Sequence, residues 1–235
     1  MNPILIFEHI ESSGPGLFKE FLKARSIPYK ILRPNLGDGI PGYADISSYS
    51  GFCFCGGTES VTNPTDWMVA EIKLIQVARE NDIPVIGHCL GGQLISKALG
   101  GDVIRHHLEE FGWSRLHIDN NHISKQWLSG VPTELFAMQW HSDTFTLPAG
   151  ATRILIGDNC INQAFVHENM LAMQFHVEAN IDTIKHWAID LVEKHPITSN
   201  SVQTGKQIMQ NLDKNFTISK HLATQFYTRW LEKVI

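Results

Sequence analysis

The chain has 235 residues, of which 43% are hydrophobic and 18% charged, enough for one large α/β domain with a substantial core. Its net charge of −5 gives no general attraction to nucleic acid or to an anionic membrane. No apolar run approaches the roughly 18 residues that a membrane-spanning helix needs, and the N-terminus lacks the pattern of a signal peptide. Four cysteines are too few for a disulfide framework in a chain of this size, so we expect a cytoplasmic location.

The first hundred residues alternate between short apolar strands and amphipathic helices. The predicted elements are strand 4–7, helix 16–25, strands 29–33 and 51–55, helix 67–81, strand 84–87 and helix 90–99. This alternation predicts an α/β protein with a mostly parallel central sheet and helices on both faces. Ligands in such folds bind beyond the carboxyl ends of the strands.

From residue 103 the pattern changes to closely spaced strands, and helices follow towards the C-terminus. The strands are predicted at 103–107, 113–118, 134–140, 152–157, 163–166 and 171–175. A helix over 180–194 comes next, and the last forty residues form two helices. In the second of these, apolar residues recur every four positions, at Leu222, Phe226, Trp230 and Val234. We expect residues 1–195 to form one domain and residues 196–235 to form a helical extension that packs on it.

The segment from Gly87 to Gly91 has the pattern of a nucleophile elbow. An apolar strand ends in Gly-x-Cys-x-Gly and turns directly into a helix, and small flanking residues permit a strained turn that lifts the Cys89 side chain clear of the backbone. The N-terminus of the helix favours a thiolate, which is the nucleophilic form. A lone cysteine is also commonly a small buried hydrophobe, and the local pattern leaves both interpretations open.

A base for this thiol is predicted at the end of strand 171–175, where His176 and Glu178 follow. Their spacing of two places both side chains on one side of an extended segment, about 7 Å apart by strand rise. A carboxylate there can hold one imidazole nitrogen while the other faces a thiol. The alternative is an ordinary solvated strand end.

Gly56 and Gly57 follow another buried strand. Without a Cβ, backbone N–H groups can approach a substrate oxygen closely. The N–H groups of Gly57 and of Leu90, the residue after the cysteine, are therefore candidates for an oxyanion hole. Taken alone, a glycine pair usually marks a simple turn.

Together, these three motifs resemble the class I (triad) glutamine amidotransferase family. The order and spacing match: a Gly-Gly loop, then Gly-x-Cys-x-Gly-x-Gln, then Gln-Phe-His-x-Glu. Residues 111–113, 140–143 and 162–165 are also similar to the family, and the resemblance extends over about residues 45–180. It implies the flavodoxin-like fold of that family for residues 1–195, with no cofactor.

The resemblance also implies a reaction. Cys89 would attack the side-chain amide of glutamine to form a γ-glutamyl thioester and release ammonia. His176 would then activate water to yield glutamate, while Glu178 orients His176.

For substrate binding, the resemblance points to three further residues. Gln93 and the backbone near His141 and Ser142 would hold the α-amino and α-carboxylate groups of the substrate. Two departures lie close to the proposed catalytic residues. Val177 stands where the family usually has proline, and His88 stands where an apolar residue is usual. We expect His88 to have a structural role, with its side chain directed away from that of Cys89.

These motifs leave the fate of the ammonia open. Members of the family commonly supply a synthase, but no glycine-rich phosphate loop follows Glu178. We expect a hydrolase that acts alone on glutamine or another γ-glutamyl amide. The alternatives are a glutaminase subunit that delivers ammonia to a separate synthase, and a catalytically inactive binding module.

Histidines and cysteines elsewhere are not expected to bind metal. His106, His107, His117 and His122 fall on differing strand faces without a regularly spaced acidic partner. Cys53 and Cys55 share one face of a strand, which favours core packing.

Overall fold

A computed structural model describes residues 1–11, 14–191 and 199–234. Within these residues, nine strands form one sheet in the spatial order β2-β1-β3-β4-β9-β8-β7-β5-β6. The strands are β1 Ile4–Phe7, β2 Tyr29–Leu32, β3 Gly51–Phe54, β4 Val85–His88, β5 Val103–Ile118, β6 Leu135–Phe145, β7 Thr152–Gly157, β8 Ala164–His167 and β9 Met170–Met173.

The sheet is parallel in one half and antiparallel in the other. The neighbouring pairs from β2 to β9 are parallel, and the pairs from β9 to β6 are antiparallel, so that β9 is parallel to β4 and antiparallel to β8. This division follows from the connections, because parallel neighbours need a long crossover whereas antiparallel strands can be joined by short turns. The predicted α/β fold is confirmed, with a larger antiparallel portion than a simple alternation implies.

Helices cover both faces of the sheet. They are α1 Gly16–Ala24, α2 Asp66–Glu80, α3 Leu90–Ala98, α4 His122–Trp127, α5 Ile181–His186, α6 Gly205–Gln210 and α7 Leu212–Leu231. Alternation along β1 separates two cores. Ile4 and Ile6 pack with α1 and α7, while Leu5 and Phe7 pack with α2 and α3.

Several element boundaries differ from the sequence prediction, among them the end of β6, at Phe145 rather than residue 140, and three differences concern whole elements. Strands 103–107 and 113–118 are one strand, β5, whose register shifts between Arg105 and Glu110. Helix α4 was not predicted, although Asn121 caps its N-terminus through its side chain. The predicted helix 180–194 is α5 followed by a π-helical segment, Trp187–Leu191, and its last three residues lie outside the described part of the chain.

The apolar stripe of α7 faces inward. Leu222, Phe226 and Trp230 are fully buried, and Val234 packs at the edge of the same core. The division between residues 1–195 and an extension of residues 196–235 stays a prediction. None of the described helices is both long enough and apolar enough to cross a membrane.

Candidate active site

Cys89 lies at the turn between β4 and α3 in a strained backbone conformation. Its φ of 50° and ψ of −106° fall outside the regions that a side-chain-bearing residue ordinarily adopts. The glycines around it allow this turn. A Cβ on Gly91 would collide with the Phe54 carbonyl group, so β3 could not approach the start of α3 as it does. The structure therefore has the elbow geometry that the sequence predicted.

Cys89 is 5% exposed, and its thiol has polar neighbours. Its sulfur lies 3.8 Å from the Trp140 carbonyl oxygen and 3.8 Å from the Gln174 side-chain nitrogen. Gln174 belongs to the Gln-Phe-His-x-Glu motif, but the motif alone did not indicate that this amide reaches the cysteine.

His176 and Glu178 meet beside this thiol. The regular strand ends at Met173, two residues earlier than predicted. His176 is held instead by an isolated bridge to β6, in which its backbone N–H donates to the Met138 carbonyl at 2.8 Å. Its Nδ1 donates to Glu178 Oε1 at 2.6 Å. The other ring nitrogen is thereby left for Cys89.

The charges of this cluster stabilise one another. Burial lowers the pKa of His176, but the Glu178 carboxylate, together with Cys89, outweighs burial and raises it to about 10. Burial likewise raises the pKa of Glu178, and the charges of His176 and His88 outweigh it, so that the pKa is lowered. The pair is therefore an imidazolium and a carboxylate near neutral pH.

His88 lies behind Glu178. It is fully buried, and its Nε2 lies 3.1 Å from the Tyr227 hydroxyl and 3.9 Å from Glu178 Oε2. The prediction of a structural role for His88 did not anticipate this proximity to Glu178.

The glycine pair lies directly against these groups. A Cβ on Gly56 would stand 2.7 Å from His176 Cε1, and one on Gly57 would collide with the Leu90 side chain. The loop is tied to the elbow because the Gly91 N–H donates to the Cys55 carbonyl at 3.2 Å. Gly57 and Leu90 thus line the same space as Cys89.

A buried pair that the sequence did not reveal supports this loop. His9 Nδ1 lies 3.1 Å from the Cys55 carbonyl oxygen, and its Nε2 lies 3.0 Å from Glu71 Oε1. Both side chains are fully buried. Because the residues are 62 positions apart, neither a motif nor a periodicity marks them.

Cys89 opens into a cavity of about 510 Å³. Three aromatic residues that contact one another, Phe111, Trp140 and Trp187, contribute to its lining. The polar lining residues include Glu59, Ser60, Gln93, Arg105, His141, Ser142 and Asp143. This volume lies within the roughly 300–1,000 Å³ that small-molecule sites usually have.

The three predicted substrate-binding residues line this cavity, yet each side chain already has a partner. Gln93 donates to the Asp143 carbonyl at 3.1 Å. Ser142 donates to Glu109 at 3.0 Å. His141 lies between Glu110 Oε2, at 3.1 Å, and the Asp143 carbonyl, at 3.0 Å.

One group among the described residues has the composition of a metal site. Single donor atoms of Glu110, His141 and Cys160 lie within 4.8 Å of one another, and none of the four histidines considered from the sequence belongs to this group. Hydrogen bonds already join Glu110 to His141, and Cys160 to Thr144. Burial also raises the pKa of Cys160 to about 11, which disfavours the thiolate that binds metals. The contacts are those of a hydrogen-bond network.

Comparison with known proteins identifies the class of protein. Residues 22–191 match the family described as glutamine amidotransferase class-I, and the chain belongs to that family. Its fold is that of a solved glutamine amidotransferase from Methylobacillus flagellatus, with a TM-score of 0.93 and 34% sequence identity over 99% of this chain and 95% of that one.

Two of the curated relatives differ in name. One, from Methanococcus maripaludis, is a subunit of the glutamine-hydrolyzing GMP synthase, and it is 32% identical over 68% of this chain and 79% of its own length. Gamma-glutamyl peptidase 4 from Arabidopsis thaliana is 24% identical over 80% of this chain and 77% of its own length.

Proposed function

We propose that this chain hydrolyses the side-chain amide of glutamine, or of a related γ-glutamyl compound, through Cys89, His176 and Glu178. The observation that carries the proposal is the buried pair of His176 and Glu178, 2.6 Å apart, beside a thiol on a strained turn that opens into a cavity. A nucleophile, a base and a residue that orients the base are the three parts that amide cleavage by a thiol requires.

In the proposed reaction, the Cys89 thiolate attacks the amide carbon. Negative charge develops on the amide oxygen, where the N–H groups of Gly57 and Leu90 are candidates to stabilise it. His176 donates its proton to the leaving nitrogen, and ammonia or an amine departs as the thioester forms. His176 then takes a proton from water, which attacks the thioester and releases glutamate.

Gln93 and the backbone at His141 and Ser142 are proposed to hold the α-amino and α-carboxylate groups. The side chains of these residues are occupied, which favours recognition through backbone groups at residues 141 and 142. The cavity has room for a γ-glutamyl group with a small amine attached.

The test is glutamate release from glutamine and from γ-glutamyl dipeptides, with Cys89→Ala as the matched inactive variant. Turnover by the purified wild-type chain that Cys89→Ala lacks is the expected result. A glutamine-like electrophile should label Cys89 in preference to the other three cysteines, which are also buried. Labelling of Cys53, Cys55 or Cys160 instead would contradict the site.

A second candidate is a glutaminase subunit that delivers ammonia to a separate synthase. The name of the Methanococcus relative favours it. Such a protein would turn over slowly by itself and faster with its partner, and a synthase would purify with it from native extract. Labelling of Cys89 without turnover under either condition would favour the inactive binding module.

A further inference from the structure

Glu178 presents only one of its two oxygens to His176. Oε1 accepts the 2.6 Å hydrogen bond from His176, whereas Oε2 is buried and has no hydrogen-bond partner among the described residues. We propose that His88 and Tyr227 are positioning residues that hold the Glu178 carboxylate towards His176, and that helix α7 thereby contributes to the reactivity of Cys89. This inference rests on the proposed triad.

Glu178 Oε2 is buried beside His88. A buried carboxylate oxygen without a hydrogen bond is costly unless a positive charge lies nearby. His88 Nε2 lies 3.9 Å away, too far for a hydrogen bond but close enough for a substantial charge interaction in a buried site. Both side chains are almost completely shielded from water.

His88 occupies the last position of β4. The other residues of β4 are apolar or glycine, so the imidazole is the polar exception in a fully buried strand. Burial lowers its pKa, but Glu178 and Cys53 outweigh burial and raise it. The charged form of His88 is therefore more favoured than in an ordinary histidine, and a charged imidazole 3.9 Å from Oε2 compensates that oxygen.

Tyr227, on α7, contacts His88 through its hydroxyl group and its ring. Its ring is locked by edge contacts to Phe18 and Phe21, at centroid distances of 4.9 and 5.5 Å. Its hydroxyl oxygen lies 3.1 Å from His88 Nε2 and can accept a hydrogen bond from the N–H group there. A phenylalanine would fill the same space, so the contact with His88 is the specific contribution of the hydroxyl.

Titratable groups on β3, on α7 and in the segment after β9 face His88, whereas α1 presents the apolar ring of Phe18 to it, at a centroid distance of 6.3 Å. On β3, the Sγ atom of Cys53 lies 4.0 Å from His88 Nδ1, and on α7 the hydroxyl group of Tyr227 faces His88 Nε2. Glu178 is the carboxylate in the cluster, while the charge of His176 opposes that of His88. The charge state of His88 therefore depends on the charges of Glu178 and His176.

The experiment follows the rate at which iodoacetamide alkylates Cys89 as a function of pH, measured by mass spectrometry of the Cys89 peptide. We expect Tyr227→Phe to slow alkylation near neutral pH about three- to tenfold, the worth of one buried hydrogen bond. The acidic side of the pH–rate profile of this variant should move to higher pH. The reason is that a less strongly held His88 stabilises the Glu178 carboxylate less, so that Glu178 takes up a proton at a higher pH. His88→Gln should have the same effect with a larger amplitude.

Leu222→Val is the matched control on the same helix. Leu222 is fully buried on α7, so its truncation should lower the melting temperature while leaving the alkylation profile unchanged. A profile that Tyr227→Phe leaves at the wild-type position would overturn the proposal, since that variant removes only a hydroxyl group.

A double-mutant cycle tests whether the effect passes through Glu178. In a Glu178→Gln background, Tyr227→Phe should produce no further change, whereas an equal effect in both backgrounds would contradict the positioning role. Alkylation requires no substrate. Shifted profiles without any glutamate release would therefore support the positioning role and reject the proposed substrate.

Discussion

The imidazole of His176 and the carboxylate of Glu178 lie 2.6 Å apart and are both almost completely buried. A buried ion pair of this kind requires each partner, because removing one leaves an uncompensated charge. The raised pKa of His176 and the lowered pKa of Glu178 are two consequences of the same contact.

Glu178→Gln should lower kcat by about a hundredfold or more at pH 7. The amide preserves the shape of the side chain, but it cannot stabilise an imidazolium or fix its tautomer. The measurement is steady-state glutamate release on whichever γ-glutamyl substrate the wild-type chain turns over. Glu168→Gln is the control, because that carboxylate is about half exposed and pairs with Arg79 at the surface. Equal rates for Glu178→Gln and wild type would contradict the assigned role.

The stability of the chain should fall as His176 loses its proton. The pKa of His176 is raised from its usual value near 6.5 to about 10. Its contribution to stability is therefore complete below about pH 6.5 and is lost as the pH rises through about 10, because the folded state binds this proton more tightly than the unfolded state.

Urea denaturation at pH 7, 8, 9 and 10 measures this contribution when wild type is compared with His176→Gln. Other groups titrate in both proteins and cancel in the difference. The free energy of unfolding of wild type should decline relative to that of the variant across this range. A difference that stays constant with pH would show that His176 is not linked to folding in this way.

The sequence predicted those parts of the fold that have a local signal. Strand β1, the elbow at Cys89 and the buried stripe of α7 all follow from residues near one another in the chain. The limits of β5 were not predictable, because the shift between Arg105 and Glu110 depends on pairing with β6. Helix α4 was missed because its six residues are too few for a clear helical period.

The residues of the candidate site were predictable from the sequence, whereas the contacts that support them were not. Cys89, His176, Glu178 and the glycine pair belong to short motifs, whereas their supporting contacts join distant positions. Tyr227 is 139 residues from His88, and single-sequence patterns contain no information on such pairs.

Gly56→Ala should reduce activity sharply while the chain still folds. The new Cβ would stand 2.7 Å from His176 Cε1, so the imidazole must move away from Glu178 and Cys89. A displacement of this kind from a catalytic geometry commonly costs about a hundredfold in rate. Gly39→Ala is the matched control, since a Cβ there meets nothing within 4 Å. If both variants keep the wild-type kcat, the glycine at position 56 is not required by the site.

Glu71→Ala should destabilise the chain and loosen the loop beside Cys89. The substitution leaves the His9 imidazole buried without its carboxylate, a change that costs about 3–5 kcal/mol where a buried pair is broken.

The same pair makes stability depend on pH. Burial lowers the pKa of His9, but Glu71 and the Cys55 carbonyl raise it above its usual value. The wild-type chain should therefore lose the stability that protonated His9 contributes as the pH rises through that raised value. Glu80→Ala is the control on the same helix, because Glu80 is exposed and its removal should change stability by less than about 0.5 kcal/mol. Since His9 also bonds the Cys55 carbonyl, kcat should fall for Glu71→Ala even where the variant remains folded; an unchanged kcat would restrict the pair to a purely structural role.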